Sequence, residues 1–257
     1  MFHFKKQQLL IFIVIISIWS CSSNLIDEES SLKSRLARGL DYLDDERYQQ
    51  AKDEFNFILM RGAGTELGDD AQYFLGESYY LNKEYIFAIE EYSKLVRNMG
   101  YSPFAEKARF RICESYTKSS PDYYNDQSYT EKAIIRYQEF VDDYPETEHL
   151  NSALTSIKVL RNKLAKKIYE TGILYIKMDE FIPARMSFNQ LVDDFYDTNI
   201  IEDTHFQIIR SFCLEGNLSK AKDHLKTHSS LIKTESINIS INDIIDKSEK
   251  KIDKIPK

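Results

Sequence analysis

The sequence predicts an all-α protein of about five stacked helix pairs, with one long helix joining the third pair to the fourth. Three observations carry this expectation. The 257 residues include only 8 Gly and 5 Pro but 17 Tyr and 15 Phe, and so few breakers with so many rings suit helices packed through aromatics. A small residue, an aromatic and an alanine recur in fixed order along the chain. Finally, LNSALTSIKVLRNKLAKKIYE, residues 150–170, has no Gly or Pro and carries Leu154, Ile157, Leu160 and Leu164 at helical spacing, which reads as one continuous helix.

The recurrence is regular enough to number. Gly39, Gly76, Cys113 and Gly172 each precede a tyrosine by three residues, at Tyr42, Tyr79, Tyr116 and Tyr175, and Ile209 and Phe212 take the same roles in a fifth unit. Ala51, Ala88, Ala133, Ala184 and Ala221 are each followed four residues later by Phe55, Tyr92, Tyr137, Phe188 and Leu225. The small residue and the alanine let two helix backbones approach, and the larger side chains three and four positions on lie on the same helical faces, where they fill the space between units. A single unit has too little core to stand alone, so the units must stack. The pattern resembles the tetratricopeptide repeat, which implies a right-handed superhelix of helix pairs.

The third unit breaks register twice. Its small residue and alanine are 20 residues apart where the other four units have 12, and the extra residues fall in SSPDYYNDQSYT, whose Pro121, Asp and Asn favour a loop. Ala133 and Tyr175 are then 42 apart where 28 is the rule, and the surplus is the long helix. Residues 32–146 therefore read as three N-terminal repeats, 147–228 as the long helix and two more, and 229–257 as a C-terminal cap or tail in which Ile241, Ile244 and Ile245 suit a short helix.

At the other end, Lys5 and Lys6 precede an eleven-residue apolar run, Leu9 to Trp19. Spanning a bilayer takes about 20 residues, so this run reads as the core of an export signal. Ile18-Trp19-Ser20-Cys21 resembles a bacterial lipobox, although Trp19 is bulkier than usual there. The resemblance implies removal of residues 1–20 and lipidation of Cys21, with residues 21–31 as a polar tether. Ser22, where an inner-membrane retention signal has aspartate, favours the outer membrane.

Without residues 1–20 the formal charge falls from −7 to −9, which argues against a nucleic-acid partner. Cys113 and Cys213 read as small packing residues. The histidines at 3, 149, 205, 224 and 228 show no HExxH or paired CxxC context, so neither a metal nor another cofactor is expected. GAGTELG, residues 62–68, lacks the flanking strand and the Lys-Ser or Lys-Thr of a phosphate loop and reads as a turn between repeats. Carboxylate pairs such as Glu90-Glu91 lie on solvated helix faces, and nothing points to catalysis.

What remains is a binding surface. In tetratricopeptide arrays the first helices line a concave groove through positions three before, one after and four after the small residue. That geometry selects Leu36, Leu40 and Leu43, then Tyr73, Glu77 and Tyr80, then Phe110, Glu114 and Thr117, an aromatic and acidic groove suited to an extended peptide. Finally, YNDQSYTEKAIIRYQEFVDDYPETEH and the following LRNKLAKKIYETGILYIKMDEFIPARMSF resemble the BamD family of outer-membrane assembly lipoproteins, through Tyr137, Gln138, Phe140, Tyr144, Pro145, Arg161, Leu164 and Ala165. The similarity covers about residues 21–226. It implies a lipid-anchored subunit on the periplasmic face of the outer membrane, working beside other assembly lipoproteins. Its N-terminal repeats would meet unfolded barrel proteins, and its C-terminal repeats would bind the periplasmic domains of a β-barrel insertase. The family's docking arginine falls at Ser187, with Arg185 two residues earlier. A different tetratricopeptide lipoprotein, a secretion pilotin or cell-envelope organiser, is the alternative.

Overall fold

The computed structural model describes residues 29–62 and 64–252, so the export signal and Cys21 lie outside the described residues. Among the described residues all regular structure is helical: α1 (residues 29–44), α2 (Tyr48–Gly62), α3 (Glu66–Leu81), α4 (Tyr85–Asn98), α5 (Ala105–Ser119), α6 (Ser128–Asp143), α7 (Leu150–Lys177), α8 (Phe181–Asp194), α9 (Ile201–Glu215), α10 (Leu218–His228) and α11 (Glu235–Ile252), with a 3-10 turn at Ser229–Leu231. None of them is long and apolar enough to cross a membrane. The chain divides into two compact units at Lys118 and Ser119.

Within each unit the helix pairs close on their glycines. A Cβ built on Gly39, Gly76 or Gly172 would lie 2.6, 2.5 or 2.4 Å from the ring of Phe55, Tyr92 or Phe188, so each missing side chain is the seat of an aromatic from the second helix of the same pair. These three rings are fully buried, and burying a ring of this size contributes about 1.5–3 kcal/mol. The sequence reading places both sets of larger side chains between repeats; the structure divides the work. The second-helix rings fill the pair itself, whereas the first-helix rings Tyr79 and Phe212 each join the core of their own pair to that of the preceding one.

The turns inside the pairs are equally regular. Among the described residues Glu46, Lys83, Asp179 and Gly216 have positive φ, at 58°, 62°, 58° and 82°, and each stands seven residues after the small or apolar anchor of its unit. In each turn the next residue's N–H reaches back to the carbonyl of the first-helix aromatic: Arg47 to Tyr42 at 2.7 Å, Glu84 to Tyr79 at 2.9 Å, Glu180 to Tyr175 at 2.9 Å and Asn217 to Phe212 at 2.8 Å. This is the 6→1 bond of a Schellman cap. The repeat alanine then donates the first bond of the second helix, as in Ala88 N–H to Glu84 O at 3.1 Å and Ala184 N–H to Glu180 O at 3.1 Å.

The long helix is α7, 28 residues, as its sequence predicts. It also secures the inserted loop of the third unit: Lys163 Nζ donates to Ser120 Oγ at 2.8 Å and Pro121 O at 3.1 Å, and Lys167 Nζ donates to Asn125 O at 2.7 Å. On its other side Arg161 pairs with Asp197 at 2.6 Å and donates to the Asp194 carbonyl. At the C-terminus α11 has 18 residues, longer than the short helix expected from three isoleucines. Its Ile241 and Ile245 bury against Ile209, Cys213 and Ala221, so it covers an apolar face that α9 and α10 would otherwise expose.

Candidate functional site

All nine groove positions chosen from the sequence lie on α1, α3 and α5, in the first unit. Leu36, Leu40 and Leu43 are half-buried against the core of Leu32, Ala51, Phe55 and Ile58. Tyr73 and Phe110 are each 8% exposed, which makes them packing residues beneath the face. The Tyr73 ring stacks on Phe104 with centroids 4.5 Å apart. Tyr80, Glu114 and Thr117 are half-buried and form its accessible part.

The charge on this face differs from a bare acidic groove. Glu77, 8% exposed, accepts from Tyr92 Oη at 2.5 Å and from Arg111 Nε at 2.8 Å and Nη2 at 3.0 Å. The remaining Arg111 nitrogen, Nη1, reaches Glu114 Oε2 at 2.8 Å, and the guanidinium carbon sits 4.6 Å from the centroid of the Tyr80 ring. One arginine thus serves two carboxylates on neighbouring first helices, leaving one net negative charge where two were expected. Burial alone would lower the arginine's pKa, but the carboxylates, Glu77 first, outweigh it and hold the guanidinium above its ordinary value. Burial, reinforced by Glu77 for Tyr73 and by Glu114 for Tyr80, pushes both phenols up to about 12. Both are therefore neutral at physiological pH, and the half-buried Tyr80 offers its O–H group and ring face. This chemistry is suited to binding.

Arg111 was not selected by the sequence reading. A signal existed: Glu114 is the repeat equivalent of Glu77, each following its small residue by one, and Arg111 lies one helical turn before Glu114. Neighbouring first helices bring such a residue opposite the carboxylate.

In the second unit, Arg185 is committed within the fold. Its side chain is 13% exposed, pairs with Glu215 at 2.9 Å, donates to Ser211 Oγ at 3.3 Å and lies 4.3 Å from the Phe212 ring centroid. Lys52 repeats the arrangement in the first unit, pairing with Glu84 at 3.0 Å and lying 4.6 Å from the Tyr79 ring centroid. Both cations directly follow a repeat alanine, and both hold the next repeat's aromatic. Ser187 Oγ donates to its own helix, at Pro183 O, 3.3 Å away. Cys113 and Cys213 are buried and not disulfide-bonded. Three of the five histidines, read singly as lacking metal context, are brought together: His205, His224 and His228.

A family model described as outer membrane lipoprotein, YfiO, matches residues 30–226. The chain is 23% identical over 198 residues to an outer membrane protein assembly factor BamD of Caulobacter vibrioides, covering 77% of this chain and 65% of that one. It is 22% identical over 186 residues to an outer membrane protein assembly factor BamD of Rickettsia prowazekii, covering 72% and 74%. The chain therefore spans just under two thirds of the Caulobacter relative's length. A tetratricopeptide repeat protein from Parabacteroides merdae superposes with a TM-score of 0.38 at 14% identity, covering 84% of this chain and 72% of the other, too loosely to bear on shape.

Proposed function

From the premise that the chain belongs to the YfiO family of outer membrane lipoproteins, we propose that it is a non-catalytic subunit of the machinery that assembles β-barrel proteins in the outer membrane. The observation that carries this reading is the extent of the family match, residues 30–226, which runs through the five helix pairs marked by the repeat anchors. The assembly-factor names of the two relatives support it.

In this reading Cys21 carries the lipid and holds the protein at the periplasmic face, since several acyl chains together give stable anchoring where one gives only marginal binding. The first unit receives an unfolded barrel segment. Its face provides half-buried leucines, the Tyr80 ring and hydroxyl, and the Arg111 pairs, which suit an extended strand ending in an aromatic residue. Tyr73 and Phe110 support that face from below. The second unit holds the insertase. Arg185 and Ser187 mark the proposed docking region, and with Arg185 already engaged by Glu215, the partner meets the edge of that ion pair.

The test is capture of the tagged, lipidated protein from its native outer membrane in mild detergent, with mass-spectrometric identification of what accompanies it. Recovery of a barrel insertase bearing periplasmic repeat domains is the expected result. Recovery of a secretin or of peptidoglycan-linked proteins instead would discard the assembly function in favour of a pilotin or an envelope organiser.

A further inference from the structure

We propose that His205, His224 and His228 form a binding site for one divalent transition-metal ion of the zinc class, clasping α9 to α10 in the last helix pair. The proposal is independent of the assembly role and rests on four features of the cluster.

The first is spacing. His224 and His228 stand four residues apart on α10, so both rings leave one face of the helix, and α9 lays His205 against them. One nitrogen of each ring lies within 4.8 Å of a nitrogen of both others, and His205 Nδ1 and His224 Nε2 are 3.1 Å apart. On a tetrahedral zinc ion with bonds of about 2.0–2.1 Å, neighbouring ligand nitrogens stand about 3.3 Å apart. One pair is already near that separation, and the His228 ring, stacked on those of His224 and His205 with centroids 4.2 and 4.9 Å apart, would turn out of the stack to complete the set.

The second is an unsatisfied atom. His205 is fully buried, and its Nε2 has no hydrogen-bond partner. Whichever tautomer His205 adopts, Nδ1 faces His224 and Nε2 is left over, a cost that native interiors rarely tolerate and that an ion bound through Nδ1 would outweigh, with the proton held on Nε2. An apolar side chain would fill the same space without that cost, so packing alone does not account for an imidazole here.

The third is orientation. His228 Nδ1 lies 3.0 Å from the His224 carbonyl oxygen, which can only accept, so this nitrogen carries the proton and Nε2 keeps its lone pair. A ring fixed through one nitrogen by a backbone carbonyl is the usual support of a metal-binding histidine.

The fourth is the donor set. Three imidazoles without a carboxylate suit zinc, copper, nickel or cobalt over calcium or magnesium. Glu202, three residues before His205 on α9, accepts through Oε2 from the backbone N–H groups of Lys233 and Thr234 at 3.0 and 2.8 Å. Three protein ligands leave a fourth position for water. His224 and His228 are partly exposed, which provides the entry path.

The experiment uses the full lipidated protein in detergent, stripped of metal by chelation and titrated with Zn²⁺ alone. Parallel titrations with Co²⁺ report tetrahedral coordination through visible absorption. One zinc per chain is expected, with a thermal midpoint that rises with free zinc. The double variant His224→Gln/His228→Gln alters only partly exposed residues, and circular dichroism checks that it folds. It should weaken zinc binding by at least the roughly 10- to 100-fold that loss of even a supporting partner costs, and abolish the cobalt bands. No stoichiometric binding by the native chain, or binding unchanged in the folded double variant, overturns the proposal.

Discussion

At the scale of single residues, the glycine seats make the sharpest prediction. Gly76→Ala gains roughly 1 kcal/mol of helix propensity, but its methyl would sit 2.5 Å from the Tyr92 ring. That ring is fully buried and its hydroxyl is bonded to Glu77, so it has no easy retreat, and overpacking of this kind costs about 1–3 kcal/mol. Net destabilisation of up to about 2 kcal/mol is expected, read as a lower urea midpoint. Gly64, with nothing within 4 Å of its built Cβ, is the control, and Gly64→Ala should stay within about 0.5 kcal/mol of the parent. On the proposed binding face, Tyr80→Ala should weaken binding of a barrel C-terminal peptide by about tenfold, near 1.4 kcal/mol, in isothermal titration. An unchanged affinity in a folded variant would remove Tyr80 from the groove.

At the scale of elements, one turn design serves four helix pairs, and three of its left-handed positions are filled by Glu46, Lys83 and Asp179 in place of glycine. Holding a side chain at positive φ costs about 1–2 kcal/mol, part of which glycine returns through the greater freedom of the unfolded chain. Asp179→Gly should therefore stabilise the protein by up to about 1 kcal/mol and Gly216→Ala should destabilise it by about 1 kcal/mol, both measured by denaturant unfolding. If the two substitutions shifted stability in the same direction, these turns would not be the shared device described. The helices and the inserted loop were legible in the sequence because turn residues, absent breakers and a 3.6-residue period act over a few positions of chain. The length of α11 was harder to read, since its stability comes from isoleucines seated on α9 and α10, partners distant in sequence.

At the scale of the whole molecule, the lipid anchor and the repeats contribute separately to the proposed role: one confines the protein to a surface and the other supplies faces for partners. Cys21→Ser should release the chain from the outer membrane into the soluble periplasmic fraction while leaving its helical circular dichroism unchanged. A variant that remained membrane-bound would show that Cys21 is dispensable for attachment. The sequence by itself determined the all-α class, the repeat anchors, the long α7, the inserted loop and the family, because each is written in spacing along the chain. Only the tertiary structure decided that Glu77 and Glu114 share Arg111, that Arg185 is engaged by Glu215 and Phe212, and that three histidines converge. Those pairings depend on how one helix is rotated and shifted against another, a lateral register set by ring-on-glycine packing across the pairs.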